Sequence, residues 1–134
     1  MTTTIKATLV NDANRLSFLP TYFGSSMFTA EQSIYNTLSS LCETYKGAYW
    51  DFYELDNGGF YLAPQLDEQL PICVISNGYE GILSADAAGI VSSLCVINHL
   101  CWKTSSEKMI DYYYWLRDFA SEHVEASEIF AAID

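Results

Sequence analysis

The sequence has little positive charge. Only 6 of its 134 residues are Lys or Arg, against 17 Asp and Glu, so the net charge is −11. Such a chain lacks the cations that neutralise DNA phosphates or attract an anionic lipid surface. We therefore expect no direct nucleic-acid binding and no membrane attachment. Two uses of the acidic surface stay open: it solubilises the protein, or it meets a basic protein partner.

Long apolar runs are also absent. The N-terminal stretch MTTTIKATLV has no continuous apolar core of a signal peptide. The longest apolar tract, residues 85–102, is interrupted by five polar residues and is too short of apolar side chains to predict a membrane span. These features predict a cytoplasmic protein.

The motifs of the common enzyme classes and metal sites are missing. The sequence has no G-x-S-x-G, P-loop, H-E-x-x-H or dinucleotide fingerprint, and its four cysteines form no C-x-x-C pair. We expect buried free thiols, no metal, no cofactor and no catalytic residue. One enzymatic alternative stays open, a small hydrolase using His99 with Cys95 or Cys101. A small acidic ligand-binding or structural module is the other alternative. His99 itself is predicted to be a core histidine, and His123 a cation at a helix C-terminus.

The periodicity predicts a single α+β domain over residues 1–134. It indicates a small antiparallel sheet of three to four strands, packed with about four to five helices, one of them central and buried. The predicted strands are 5–10, 49–55, 60–63, 70–75 and 79–83, and the predicted helices are 27–45, 85–102, 106–122 and 125–133.

A β-hairpin is the strongest local signal. Asn57-Gly58 between two aromatic-rich runs predicts a two-residue loop, because both residues tolerate positive φ. In that register Leu55 faces Phe60, and the second strand ends at Pro64 or runs along an edge. One sheet face would then carry Tyr53, Leu55, Phe60 and Leu62, and the other Trp50, Phe52 and Tyr61.

Turn and cap residues predict the helix ends. Residues 11–14 read as a turn and 15–24 as a short helical turn with a loop. Thr29 is the predicted N-cap of the next helix and Gly47 its C-terminal glycine. Ser84 is the predicted N-cap of the central helix, and Gly89 within that helix predicts close approach to the sheet.

Acidic residues recur on the helix near the C-terminus. Glu107, Asp111, Asp118 and Glu122 are spaced by 4, 7 and 4 residues, which keeps them on one side of a helix. A solvated face is one interpretation and imitation of DNA phosphates is the other. Since duplex DNA carries one charge per about 1.7 Å, 17 carboxylates match only about 8 base pairs, so strong mimicry is disfavoured. With these four carboxylates, Tyr113 and Asp134 complete the predicted interaction surface.

Several strings of residues resemble one protein family in order and separation. They are Arg15-x-x-Phe18-Leu19-Pro20-x-x-Phe23-Gly24, the hairpin from Trp50 to Pro64, Asn77-Gly78-Tyr79, residues 84–91, Leu116-Arg117-Asp118-Phe119-Ala120-x-x-His123 and the closing Ala132-Ile133-Asp134. Together these strings are similar to the ArdB/KlcA antirestriction family.

That resemblance implies a small protein of mobile genetic elements that protects incoming DNA from type I restriction. The implied partner is a type I restriction-modification enzyme, reached directly or indirectly. The resemblance implies no catalytic residue and no cofactor, and it differs from the heavily charged antirestriction proteins that mimic DNA.

Overall fold

The structure, a computed structural model, describes residues 4–134 and confirms the α+β class. The described strands form two antiparallel sheets, β1–β2–β3 and β4–β5. The elements in chain order are β1 (Ala7–Leu9), α1 (Asp12–Phe23), a 3₁₀ turn (Gly24–Ser26), α2 (Met27–Leu41), β2 (Trp50–Leu55), β3 (Phe60–Pro64), β4 (Leu70–Val74), β5 (Tyr79–Leu83), α3 (Ala85–Thr104), α4 (Glu107–Ser121) and α5 (Ala126–Ile133).

Helix α3 is the centre of the fold, as predicted. It packs against β3, α2, α4 and α5. The Ser84 side chain accepts a hydrogen bond from the Ala87 N–H at 3.1 Å, and the helix ends at Ser105, which has a φ of 55°. By length and composition α3 is a candidate membrane span, yet 67% of its apolar window is buried inside the domain. Burial of that kind is typical of the core helix of a globular protein.

Two residues of α3 lie against the outer edge of β3. The Ser93 hydroxyl accepts from the Leu62 N–H at 3.1 Å and donates to the Leu62 carbonyl at 3.2 Å. One turn earlier, a Cβ on Gly89 would lie 2.5 Å from the Ala63 Cα and 2.5 Å from the Leu62 carbonyl oxygen. The predicted close approach at Gly89 is therefore confirmed, and a side-chain hydroxyl satisfies backbone groups that a further strand would otherwise pair.

The predicted hairpin is present, but the predicted register was wrong by one residue. Glu54 pairs with Phe60, and the loop contains three residues instead of two. The Gly58 N–H donates to the Leu55 carbonyl at 3.1 Å, and Gly58 has a φ of 101°. This is a turn followed by a glycine with positive φ, the common three-residue hairpin loop. A shift of one residue moves every side chain of β3 to the other face.

Both faces of the hairpin are covered, as predicted. In the observed register Phe52 faces Leu62 and Tyr53 faces Tyr61. Phe60 is surrounded by rings of α1 and α4, those of Phe18, Tyr22, Phe23 and Tyr112, with centroids 4.2–5.7 Å away. On the opposite face Tyr61 stacks on Tyr53 at 4.8 Å and on Phe119 at 5.6 Å. Strand β3 ends at Pro64 on a sheet edge, again as predicted.

The N-terminal third was predicted poorly. Asn11 is an N-cap and not part of a turn, since its side chain accepts from the Asn14 N–H at 3.1 Å. Helix α1 continues through Pro20. The burial of Phe18 and Phe23 in the core stabilises the helix more than the hydrogen bond that a proline cannot donate would have done. The 3₁₀ turn leads directly into α2, so that helix begins at Met27 instead of following a cap at Thr29. It ends at Leu41, well before Gly47.

Asn57 joins the hairpin loop to α4. Its Nδ2 donates to the Trp115 carbonyl at 3.0 Å, and its Oδ1 accepts from the Gly59 N–H at 3.0 Å. Asn57→Ala removes both bonds, so we expect the free energy of unfolding to fall by about 1–2 kcal/mol. Chemical denaturation measures the change, and Asn14→Ala is the control, because the Asn14 side chain is exposed and takes part in neither contact. Equal stability of the two variants would contradict the prediction.

Candidate functional site

Asp86 is the centre of a polar cluster that joins three elements. Its Oδ1 accepts from the Tyr61 hydroxyl of β3 at 2.7 Å. Its Oδ2 lies 2.8 Å from Nε2 of His123, which follows α4. The side chain of His123 is only 10% exposed, whereas that of Asp86 is 41% exposed. The carboxylate therefore reaches a partly solvated position while its two partners are held inside the domain.

The hydrogen bonds of His123 determine which nitrogen of its imidazole carries the proton. The Glu125 N–H donates to Nδ1 of His123 at 3.0 Å, so in the neutral ring Nε2 carries the proton and donates to Asp86. The bond with Asp86 raises the pKa of His123, because the carboxylate favours the imidazolium. A second proton on Nδ1 would have to displace the Glu125 N–H. Burial, with the negative charge of Asp86, raises the pKa of Tyr61, which keeps its hydroxyl a donor.

A second set of contacts ties the same junction to α5. The Ser84 N–H donates to Oε1 of Glu125 at 2.9 Å, and the Ser84 hydroxyl donates to Oε2. The Tyr79 hydroxyl donates to Oε1 of Glu128 at 2.6 Å. Burial together with Glu128 raises the pKa of Tyr79 to about 12. The start of α3 and strand β5 are thereby fixed to the C-terminal helix.

The Asp86 cluster (Tyr61, Ser84, Asp86, His123 and Glu125) is a structural contact that holds β3, the start of α3 and the turn before α5 together. An Asp–His pair is part of a catalytic triad, but in a triad the second imidazole nitrogen faces a nucleophile. Here that nitrogen accepts a main-chain N–H, and both oxygens of Asp86 are engaged. Within residues 4–134 no three His, Cys, Asp or Glu side chains are placed to hold a metal ion.

The predicted interaction residues lie on two helices and the turn between them. Glu107, Asp111 and Asp118 are exposed along one side of α4. Glu122, also exposed, follows that helix, and its Oε1 accepts from the Ile5 N–H at 2.8 Å. Tyr113 is half-buried on α4, and Asp134 is exposed after α5. The structure thus brings three carboxylates together as a stripe and places Asp134 on a separate element.

His99 and the cysteines are placed differently from the prediction. His99 is exposed and not a core residue, although Ser92, seven positions earlier on the same side of α3, is fully buried. The first half of α3 is surrounded by other elements, whereas its second half has a solvent face. Cys95 is exposed on the solvent face of α3. Cys73 is exposed on β4, and Cys101 is half-buried. Of the four cysteines, Cys42 is the one that is buried as predicted.

The sequence interpretation missed the Asp86 cluster as a unit. It assigned Asp86 to the dipole of α3 and His123 to the end of α4, without any link between them. Their approach depends on how α4 packs on α3, which the local pattern does not contain. One signal was available, because Tyr61, Asp86 and His123 all fall within the strings that carry the family resemblance.

Within residues 4–134 no Asp or Glu oxygen lies within 4.0 Å of a Lys or Arg nitrogen. In the described part of the chain the one ion pair within 4.0 Å is His123–Asp86. The two arginines lie on rings instead: the Arg15 guanidinium is 4.1 Å from the Phe52 centroid, and that of Arg117 is 5.1 Å from the Phe130 centroid. With 6 Lys and Arg against 17 Asp and Glu, most of the negative charge is not balanced by positive side chains.

Comparison with known proteins decides the family. The model of a family described as antirestriction protein matches residues 43–134, which is more than half of the chain. The chain belongs to the antirestriction protein family.

Relatives of this antirestriction protein match over almost its whole length. Two Escherichia coli proteins named antirestriction protein KlcA are 49% and 50% identical, covering 97% of this chain and 94% and 95% of their own. An uncharacterized protein, YafX of Escherichia coli strain K12, is 36% identical over 97% of this chain and 88% of its own.

A solved structure also matches the whole antirestriction protein. It belongs to a study of KlcA and ArdB, and it superposes with a TM-score of 0.91 at 46% identity, covering 100% of both chains. The KlcA and ArdB proteins are described as showing a novel fold and antirestriction activity against type I DNA restriction systems in vivo but not in vitro.

Proposed function

We propose that this protein relieves type I restriction in the cytoplasm by contacting a protein, without catalysis and without binding DNA. The contacted protein belongs to the restriction system, or the system depends on it in the cell. One observation carries the proposal: the match over 100% of both chains to the solved structure from the study of KlcA and ArdB, whose activity is against type I systems.

The mechanism has to account for the difference between activity in the cell and activity with purified components. KlcA and ArdB show their activity in vivo but not in vitro. An inhibitor that occupied the restriction enzyme by itself would act on the purified enzyme as well. We infer that the contact requires a further cellular component or a state of the enzyme found only in the cell.

Two features of the structure support a mechanism without catalysis. Both functional groups of the Asp86–His123 pair are engaged in internal hydrogen bonds, so neither is free to move a substrate proton. His99 is exposed at the solvent face of α3, and no hydrogen bond within residues 4–134 orients its ring. The hydrolase alternative therefore lacks a positioned base.

The placement of the carboxylates supports protein contact over DNA mimicry. Phosphate charges of a duplex follow one continuous path. On α4 the exposed carboxylates Glu107, Asp111 and Asp118 form one short stripe. Other exposed carboxylates, such as Asp12 on α1 and Glu68 before β4, come from elements far apart in the chain. A short acidic stripe suits a basic patch on a protein.

The test is the plating of unmodified phage on a host with a type I system, with and without this protein. We expect expression to raise the plating efficiency toward that of modified phage, which serves as the control for infection. Cleavage of unmodified DNA by the purified enzyme should be unchanged by the purified protein. Undiminished restriction at good expression overturns the proposal, and full relief by His99→Ala removes the hydrolase alternative.

Replacing Glu107, Asp111, Asp118 and Glu122 by their amides tests the acidic side of α4. We expect a partial loss of relief, because exposed charges contribute about 0.2–1 kcal/mol each to a contact and apolar groups contribute the rest. The same assay with a fourfold amide variant of carboxylates elsewhere, Asp12, Glu43, Glu68 and Glu80, is the control. Complete loss of relief in the α4 variant, at an unchanged melting midpoint, would favour imitation of DNA phosphates over contact with a protein.

A further inference from the structure

An open aromatic groove lies between the C-terminal part of α3 and the start of α4. It has a volume of about 380 Å³ and is lined by Cys101, Trp102, Ile110, Tyr113 and Tyr114, among others. Trp102 is 82% exposed and Tyr114 58% exposed. We call these residues the α3–α4 groove. Rings exposed to this degree contribute little to the core, and several apolar residues that line one groove are typical of an interaction surface.

The groove is bordered by the acidic stripe of α4. Glu107, Asp111, Tyr114 and Asp118 follow one another at offsets of 4, 3 and 4 residues. At about 100° per residue these positions stay on one side of the helix. Tyr114, which lines the groove, therefore lies on the same side of α4 as the three carboxylates. Neither Glu107 nor Asp111 has a Lys or Arg partner in the described chain.

We propose that the α3–α4 groove is the docking surface for a basic amphipathic segment of a protein partner. Apolar side chains of that segment occupy the space between Trp102 and Tyr114, and its arginines or lysines face Glu107, Asp111 and Asp118. The inference deepens the proposed function and rests on it for its biological meaning, because it names the part of the protein that makes the contact.

The occupant is identified by charge and by ring chemistry. In the described chain no Lys or Arg nitrogen lies within 4.0 Å of these carboxylates, and the protein has a net charge of −11, so the stripe attracts a cationic segment. Trp and Tyr are the residues that most often dominate binding energy at interfaces, and guanidinium groups stack on their faces. An anionic lipid or nucleic acid meets repulsion at the same rim.

A second exposed apolar surface lies on the β4–β5 sheet, but it fits this role less well. Ile75 and Ile82 are exposed there, beside a groove of about 640 Å³. Its carboxylates, Glu43 and Glu80, come from separate elements and form no stripe. No Trp or Tyr lines it, so it lacks the residues that anchor a cationic segment.

The direct test uses a synthetic amphipathic peptide with leucines on one face and arginines on the other. Amide and indole NMR resonances of the whole protein are followed during titration at physiological salt. We expect the largest shifts at the Trp102 indole N–H and along residues 98–118. A matched peptide with glutamate in place of arginine should cause none. Shifts spread over the whole acidic surface, or centred on Ile75 and Ile82, overturn the proposal.

Substitutions separate the groove from general electrostatics. Trp102→Ala with Tyr114→Ala should weaken peptide binding about tenfold or more, as expected when two anchoring rings are lost. Phe28→Ala is the control, because Phe28 is 75% exposed on α2, away from the groove. Glu107→Gln with Asp111→Asn should weaken binding and flatten its salt dependence, whereas Glu43→Gln with Glu68→Gln should not. Equal effects of variant and control overturn the proposal.

The cellular assay then relates the groove to relief of restriction. If wild type relieves restriction, the Trp102 and Tyr114 double variant should lose most of that relief at an unchanged melting midpoint. Full relief by this variant overturns the proposal while the function stands. If wild type gives no relief, the proposed function fails, and the peptide titration still decides the groove. A dimer that depends on Trp102, seen by light scattering, would make a second copy the occupant and overturn it too.

Discussion

Gly89→Ala is expected to lower the free energy of unfolding by about 1–3 kcal/mol, with a fall of the melting midpoint of roughly 3–10 °C. In an ordinary helix interior the same change stabilises by about 1 kcal/mol, because alanine has the higher helix propensity. Here the new methyl group would lie 2.5 Å from the Ala63 Cα and 2.5 Å from the Leu62 carbonyl oxygen. Those are backbone atoms, so relief requires α3 to move away from β3.

The movement has a second consequence, which makes the prediction specific. The Ser93 hydroxyl, one turn further along α3, bonds both backbone groups of Leu62. If α3 shifts outward these two bonds lengthen, and the amide of Leu62 should exchange faster with solvent. His99→Ala, on the exposed side of the same helix, is the control and should change the midpoint little. An increase in stability on Gly89→Ala would contradict the observed packing.

Asp86→Ala is expected to destabilise the fold by about 2–4 kcal/mol. The change leaves the Tyr61 hydroxyl and the His123 Nε2–H without their acceptor, and both side chains are largely buried. A buried donor left without a partner costs about 1–3 kcal/mol. Thermal or urea denaturation measures the loss. Asp118→Ala is the control, because that carboxylate is exposed on α4 and has no hydrogen bond in the described chain.

A double-mutant cycle shows whether the cluster acts as one unit. With His123→Ala as the second change, we expect an interaction energy of about 1–3 kcal/mol between the two positions. Asp86→Asn should recover part of the stability lost in Asp86→Ala, because its amide oxygen can accept from Nε2–H and its nitrogen can donate to the Tyr61 hydroxyl oxygen, but the charge-assisted bonds of the carboxylate are lost. Additive losses in the cycle would mean that Asp86 and His123 stabilise the fold independently and would contradict the coupling inferred from their hydrogen bond.

Much of the fold was predictable because its signals are local. The loop glycine, the cap at Ser84, the end of β3 at Pro64 and the apolar run of α3 each act within a few residues. Gly89 was informative for the same reason, since a glycine in a well-formed helix indicates close approach. The α+β class and the family resemblance followed from these strings.

The errors arose where distant packing decides the local structure. Pro20 is tolerated in α1 because Phe18 and Phe23 are buried against the sheet. The hairpin register depends on a three-residue loop whose Asn57 is held by the Trp115 carbonyl, 58 residues away in sequence. His99 has the spacing of a buried strip, but the second half of α3 lacks a covering element. No periodicity within one segment contains this information.

The candidate site was less accessible than the fold. The predicted exposure of the four carboxylates is confirmed, but three of them lie on α4 and Glu122 follows its last residue. The Asp86 cluster joins residues from β3, α3 and the turn before α5, so it becomes visible only after these elements are packed. The α3–α4 groove was missed in the same way, since Trp102 and Tyr114 are on different helices.

The most direct measurement is the number of copies of this protein that relieves restriction. Its expression is titrated in a host with a type I system, and plating of unmodified phage is followed against the copy number of the restriction enzyme. An inhibitor that acts by protein contact without turnover must occupy its target, so relief should rise with the number of copies and saturate near the copy number of the protein that is captured with it from the restricting cells. Full relief at copy numbers far below those of both the restriction enzyme and any captured protein would indicate a turnover step and contradict a mechanism by contact.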